Sequence, residues 1–256
     1  LGAWHLTFLI VGLPGVLLAL WCWTLREPPR RGAGAQAPVV PLREALAFLR
    51  ANGATFGAHF FGFSMVTLLF NAVVFWMAPY LMRVHGVAPA DFGVTLGLIL
   101  AIGGAIGIYV GGAFADALRR RGVQDAELWS GIVGATLLWP FGLYATQAPS
   151  GEASLIAFAG FMVFASFPFA AAAAGLTNVT PNRLRGQVAA VYLFVVNLAG
   201  IGLGSFLTGF VNDHVFGDPN RVGDSMAWIV GLAAPAAALI LWVGRGPYRR
   251  SLAALG

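Results

Sequence analysis

Few side chains in this sequence could do chemistry. It has four histidines (His5, His59, His85 and His214), ten acidic residues and one cysteine, Cys22. No two histidines stand at helical ligand spacing, so no metal site is expected. His59 and Ser64 are five apart and do not stack on one helical face, so a nucleophile with its base is not indicated either. No apolar segment carries two acids. These absences argue against a membrane-embedded hydrolase or protease, and no enzymatic activity and no cofactor are expected. His59 is the titratable group well inside an apolar segment: it either carries a proton or is a buried structural histidine. Ser64, Thr67 and Asn71 follow on the same segment, and Tyr192 and Asn197 lie on a later one. Polar groups at such depth need partners or water. They read as the wall of a central cavity or as hydrogen bonds between helices.

A second group combines glycines, an acid and arginines: Gly111-Gly112-Ala113-Phe114-Ala115-Asp116-Ala117-Leu118-Arg119-Arg120-Arg121. An acid adds little to membrane orientation, so Asp116 suggests a specific contact; the arginines serve either a contact or topology. A comparable basic loop is Pro181-Asn182-Arg183-Leu184-Arg185-Gly186-Gln187.

The elements that must position these residues are membrane spans. The chain is 59% hydrophobic and 10% charged, against roughly 25% charged in soluble domains, and its mean hydropathy is +0.79. The net charge of +5 comes from fifteen arginines and no lysine. They fall in loops between apolar runs, so the charge reflects placement about a bilayer, not nucleic-acid binding. Seven spans are predicted, at about 4–25, 54–82, 91–115, 126–147, 153–178, 188–212 and 225–244. The chain starts at Leu1 and is apolar by Trp4 with no basic segment ahead, which reads as part of a longer protein, not as a signal peptide.

Arg26-Glu27-Pro28 ends the first span, and residues 32–38 are rich in Gly, Ala and Pro. Pro41 to Arg50 then predicts a short amphipathic helix with Leu42, Ala45, Leu46 and Leu49 on its apolar face, lying at the membrane surface. Gly103, Gly107 and Gly111 repeat every four residues, which lets another helix backbone approach closely. Pro168 predicts a bend in the fifth span. Arg26, Arg30, Arg31, Arg43, Arg50, Arg119, Arg120, Arg121, Arg183, Arg185, Arg245, Arg249 and Arg250 fall on one side of the spans, and Arg83 and Arg221 on the other. The first side is therefore expected to be cytoplasmic.

The Gly111 to Arg121 stretch resembles the loop signature of the major facilitator superfamily, which recurs in each half of those transporters. Phe8-Leu9-Ile10-Val11-Gly12-Leu13-Pro14-Gly15 through Leu25-Arg26-Glu27-Pro28 is similar to the end of their sixth helix. Pro181 to Gln187, Tyr192-Leu193-Phe194, Asn197 to Gly204 and Val215-Phe216-Gly217-Asp218-Pro219 resemble the spinster-like branch, although Ser205 stands where that branch carries proline.

The resemblance implies an all-α integral membrane fold: the C-terminal six-helix bundle plus the last helix of the N-terminal bundle. Its segments would be residues 1–25 as that last helix and 26–52 as the cytoplasmic central loop. The bundle would occupy 53–245, and 246–256 would be a cytoplasmic tail. It implies secondary transport of a small, amphipathic or lipid-like solute by alternating access, in a multi-pass protein of the bacterial inner membrane. The partners implied are lipid, a small-molecule substrate and the missing N-terminal half. A non-transporting membrane scaffold is the alternative. By the same resemblance, Gly111, Gly112, Asp116, Arg119 and Arg120 form a conformational-switch loop, with Asp116 facing a helix of the opposite half in the outward-open state. The glycine stripe would pack on that half. Arg183, Arg185, Gly186 and Gln187 would face it too, and Ser64, Thr67 and Asn71 would stand exposed without it.

Overall fold

The computed structural model describes residues 3–25 and 41–255. The expected loop features at Arg26, Arg30, Arg31 and residues 32–38 lie outside the described residues. The chain divides into two units, Leu1–Val39 and Val40–Gly256. The first contains one apolar helix, α1 (Ala3–Trp23), whose stretch Phe8–Trp23 is shorter than the spans of the second unit.

The second unit is a six-helix bundle with a short helix before it. That helix, α2, covers Leu42–Ala51. Among the described residues, six helices are long and apolar enough to cross a membrane: α3 (Gly53–Val84), α4 (Pro89–Arg120), α5 (Ala126–Gln147), α6 (Gly151–Asn178), α7 (Asn182–Phe216) and α8 (Pro219–Ala253). This is an integral, multi-pass, all-helical architecture, and among the described residues there is no strand. The final helix runs to Ala253, so the expected bundle end at 245 lies inside α8. Its last turns stay helical because Gly244 and Tyr248 are buried against the bundle, Gly244 on Ala58.

α8 packs along α3 and α5, α5 along α6, α7 along α3, and α4 along α5 and α6. Burial follows from this layering: 61% of the apolar window of α3 is enclosed, against 11% for α4 and 22% for α7. These two flanking spans therefore leave most of their surface outside the bundle. Two apolar clusters fill the interior. One holds Met77, Tyr80, Phe158, Phe161 and Met226; the other, nearer the arginine-rich end, holds Phe56, Phe60, Leu128, Leu176 and Tyr248.

Glycine permits the close crossings. A Cβ on Gly111 would overlap the carbonyl oxygen of Phe167, and one on Gly107 that of Val163. The stripe predicted to meet an absent half is thus occupied by α6 of the same bundle. The reason is physical: small residues announce close approach, not which backbone approaches. On α7, Gly204 would meet Leu68 O of α3 at 2.6 Å.

The expected break at Pro168 is present: α-helix stops at Ser166 and resumes at Phe169. Less expected are π turns, which loosen a helix locally. They occupy Ile99–Gly103 in α4, and Asn197–Gly202 and Asn212–Phe216 in α7.

The buried face of α2 differs from the expected one. Ala45 is fully buried and Phe48 and Leu49 half-buried, while Leu42 and Leu46 remain exposed. The i, i+3, i+4 stripe that meets α3 and α7 starts at Ala45, and α2 docks on the bundle through it.

Candidate functional site

The loop after α4 is a tight helix ending. Gly122 adopts φ +83°, open to glycine at little cost, and Val123 N donates to Leu118 O at 3.1 Å, closing the six-residue ring of a Schellman motif. This geometry delivers Arg119 to the first turn of α5, where it pairs with Glu127. Glu127 is 1% exposed. Its Oε1 also accepts from Asn178 Nδ2 at 3.1 Å. Tyr248 Oη lies 3.4 Å from its Oε2 and 3.0 Å from Gly175 O. One carboxylate thereby joins the ends of α4, α5, α6 and α8. A buried acid demands such partners, because desolvation without them would be costly.

Beside it, Arg245 Nε donates to buried Asp125 Oδ2 at 2.5 Å. Its guanidinium lies 4.3 Å from the Trp129 ring centre and 4.7 Å from that of Trp242. Sequence reasoning left Asp125, Glu127, Asn178 and Tyr248 unassigned and counted Arg245 only as a charge that sets orientation. The available signal was two acids two residues apart at a helix start, which reads equally well as a favourable charge at the dipole.

Of the switch-loop residues, Arg119 is engaged as described, Gly111 is buried on α6, and Gly112 is half-buried. Asp116 is exposed and has no hydrogen bond or ion pair among the described residues, and Arg120 is exposed beside it. Arg183 pairs with Glu44 of α2 at 2.7 Å, and Arg185 Nε donates to Thr180 O at 3.2 Å. α2 thus supplies Arg183 a partner within the described residues, and both arginines remain exposed. Gly186 is exposed and Gln187 half-buried.

The candidate cavity residues divide. Thr67 and Asn71 sit in the α3–α7 crossing, against Gly200 and Gly204. Their donors bond to α3 itself, Thr67 Oγ1 to Phe63 O at 3.1 Å and Asn71 Nδ2 to Thr67 O at 2.7 Å. Ser64 is fully buried, and its Oγ has no hydrogen-bond partner among the described residues. Ser64 and Asn71 are therefore covered within this bundle, contrary to the exposed face expected for them, because α7 lies over α3. Asn197 is exposed, bonded to Leu193 O at 2.7 Å and placed in a π turn.

Tyr192 packs beside His59, ring centres 5.3 Å apart. His59 is 1% exposed, with Phe63 at 4.7 Å. Its Nε2 lies 3.0 Å from Ala172 O. A carbonyl only accepts, so Nε2 carries the hydrogen, and in the neutral ring Nδ1 is then a bare acceptor, buried without a partner among the described residues. No acid is close to His59 in sequence, yet Glu127 is close in space: a Cβ on Gly175 would touch both side chains. Among the described residues no cluster of three or more His, Cys, Asp or Glu is placed to hold a metal.

No curated protein matches this chain. Among solved structures, it is similar to a bacterial homolog of the human lysosomal transporter Spinster in an inward-facing, unoccupied conformation. Identity is 25% and the TM-score 0.60, over 97% of this chain and 59% of that one. The occupied inward-facing form of such a homolog gives 24% identity and a TM-score of 0.60, over 97% and 57%. This chain thus spans less than two thirds of their length. The family description "Major Facilitator Superfamily" matches residues 1–205. Its match covers most of the bundle described above, and the chain belongs to the major facilitator superfamily.

Proposed function

We propose that this chain is the C-terminal half of a secondary transporter. It moves a small, amphipathic or lipid-like solute by alternating access and resides in a bacterial inner membrane. The observation that carries this reading is the uneven covering of the bundle. α4 and α7 leave most of their apolar surface uncovered, and Asp116 stands at the end of α4 without a partner among the described residues. Such a surface fits a second bundle, with α1 as that bundle's last helix and residues 26–52 as the cytoplasmic connection. The name of the similar structures, a transporter, supports the class of activity; the solute follows only from the spinster-like resemblance. Asn197 and the half-buried Thr67 border the uncovered side and are the candidate substrate contacts. Ser64, Asn71 and Tyr192 would support them from within, and His59 is the weaker candidate for coupling to protons.

Alternating access requires two bundles rocking about a site between them. Purified 1–256 in vesicles should therefore show no saturable uptake of solutes moved by the full-length protein, and co-reconstitution with the missing half should restore uptake. Uptake by 1–256 alone would replace the half-transporter reading with a self-assembling one. Full-length protein that inserts and folds but moves no solute would favour a scaffold.

A further inference from the structure

Away from α4 and α7, α5 and α8 enclose a groove of about 540 Å³. Its walls are Ile132, Ala135 and Trp139 on α5 and Ala234, Pro235 and Ala238 on α8. The hydroxyl of Thr136, which also borders it, is spent on Ile132 O at 2.7 Å. The floor is therefore apolar. Trp242 stands at one end, half exposed.

The α8 wall continues beyond the groove on the same face. Pro235, Ala238, Trp242, Arg245 and Arg249 follow at alternating steps of three and four, so they form one stripe. At 1.5 Å per residue, Arg245 lies about 15 Å along the axis from Pro235. That is roughly the depth of one leaflet of a 30 Å hydrocarbon core. The apolar part thus matches a lipid chain in length, and the cations come where a headgroup would begin.

Arg245 is held in place before any ligand arrives. Asp125 binds its Nε, and the mutually perpendicular Trp129 and Trp242 rings stand on two adjacent sides of the guanidinium. Its terminal amino groups have no other partner among the described residues. Asp125 balances Arg245, whereas Arg249 is exposed with no ion pair among the described residues, which leaves the site net positive. Arg is suited to this task because its rigid fork matches phosphate oxygens.

We propose that this groove binds a phospholipid from the arginine-side leaflet. One acyl chain lies between α5 and α8, and the anionic headgroup rests on Arg245 and Arg249. The chain supplies contact area, and the arginines supply selectivity for negative charge. The site does not depend on the transport reading, since it lies on α5 and α8.

The test uses the full-length protein in neutral detergent, titrated with dioleoyl phosphatidylglycerol or dioleoyl phosphatidylcholine and read by native mass spectrometry. The expected result is about tenfold tighter retention of the glycerol lipid, on the order of a single charge-assisted contact. Arg249→Gln, at an exposed position, should abolish the preference without lowering the melting temperature. Ala238→Phe, which fills the groove, should weaken both lipids several-fold, and Arg245→Lys should retain only part of the selectivity. Equal retention of the two lipids by the unaltered protein would overturn the proposal, as would an Arg249→Gln variant that still discriminates. Displacement of the lipid by millimolar inorganic phosphate would also overturn it, because the groove would then be incidental to an anion site.

Discussion

Asp116 and Glu127 occupy opposite situations within one loop region. Glu127 is enclosed and bonded from several helices, so it belongs to the internal architecture of the bundle; Asp116 is exposed and unpaired within it. Glu127→Ala should lower stability by roughly 1–3 kcal/mol, because Tyr248 and Asn178 lose an acceptor in a desolvated place. Arg119 adds less to this figure, since it is half exposed and solvent can replace its partner. Thermal unfolding in detergent would read the loss, and a melting temperature unchanged from the parent would remove Glu127 from the architecture. Asp116→Asn should leave stability alone and shift the balance of inward-open and outward-open states in the full-length protein. Unaltered sided accessibility of the cavity, together with unaltered transport kinetics, would reduce Asp116 to a surface charge. Asp116 was legible in the sequence because an acid between glycines and arginines is unusual. Glu127 was not: Tyr248 is 121 residues away from it, and no local pattern marks a contact at that separation.

At the scale of the helix, small residues decide where backbones meet. Gly111 and Gly112 are adjacent and look equivalent in sequence, yet their surroundings differ. A methyl group on Gly111 would run into the Phe167 backbone, whereas on Gly112 it would reach only Ala170 Cβ at 3.9 Å. Gly111→Ala should therefore destabilise by about 1–3 kcal/mol, the range of overpacking, and Gly112→Ala by much less. Matched expression and melting temperatures for the two variants would contradict the packing described. The existence and order of these spans were readable, since membrane-length apolar runs are hard to mistake, but some ends were not: α7 begins at Asn182 where 188 was expected, and α8 runs from Pro219 to Ala253 where 225–244 was expected. Partner choice was not readable. The stripe Gly103, Gly107, Gly111 predicted a close crossing, and the crossing exists, but with α6. The α2 helix was readable as amphipathic, while its docked face shifted to Ala45, Phe48 and Leu49, which join the apolar cluster at that end of the bundle.

For the whole molecule, the arginine split predicts sidedness. Single cysteines at Gln124 and Ser150, both exposed, placed in a Cys22→Ala background, should react with impermeant reagent from opposite faces of the membrane, Ser150 from outside. Labelling of both from outside would overturn the orientation or the span count. The same split explains why so much of the architecture could be read before any coordinates. Insertion into a bilayer is governed by hydropathy and by charge near the span ends, both local properties of sequence. The assembly of the inserted helices depends on shape, which is not local.

The π turn at Ile99–Gly103 sets the phase of everything after it. A residue inserted into an α-helix rotates the following turns by about 100°, so a helical wheel drawn through α4 from Asp91 assigns the wrong faces beyond the turn. Asp116, Gly107 and Gly111 owe their directions to that offset. Asn197–Gly202 does the same for Gly204 and Thr208 on α7. When related chains are aligned, a one-residue gap at either place is therefore no trivial length difference. A relative lacking that residue would keep both helix ends and exchange the faces between them, turning what lies against α6 here toward the membrane or the neighbouring bundle.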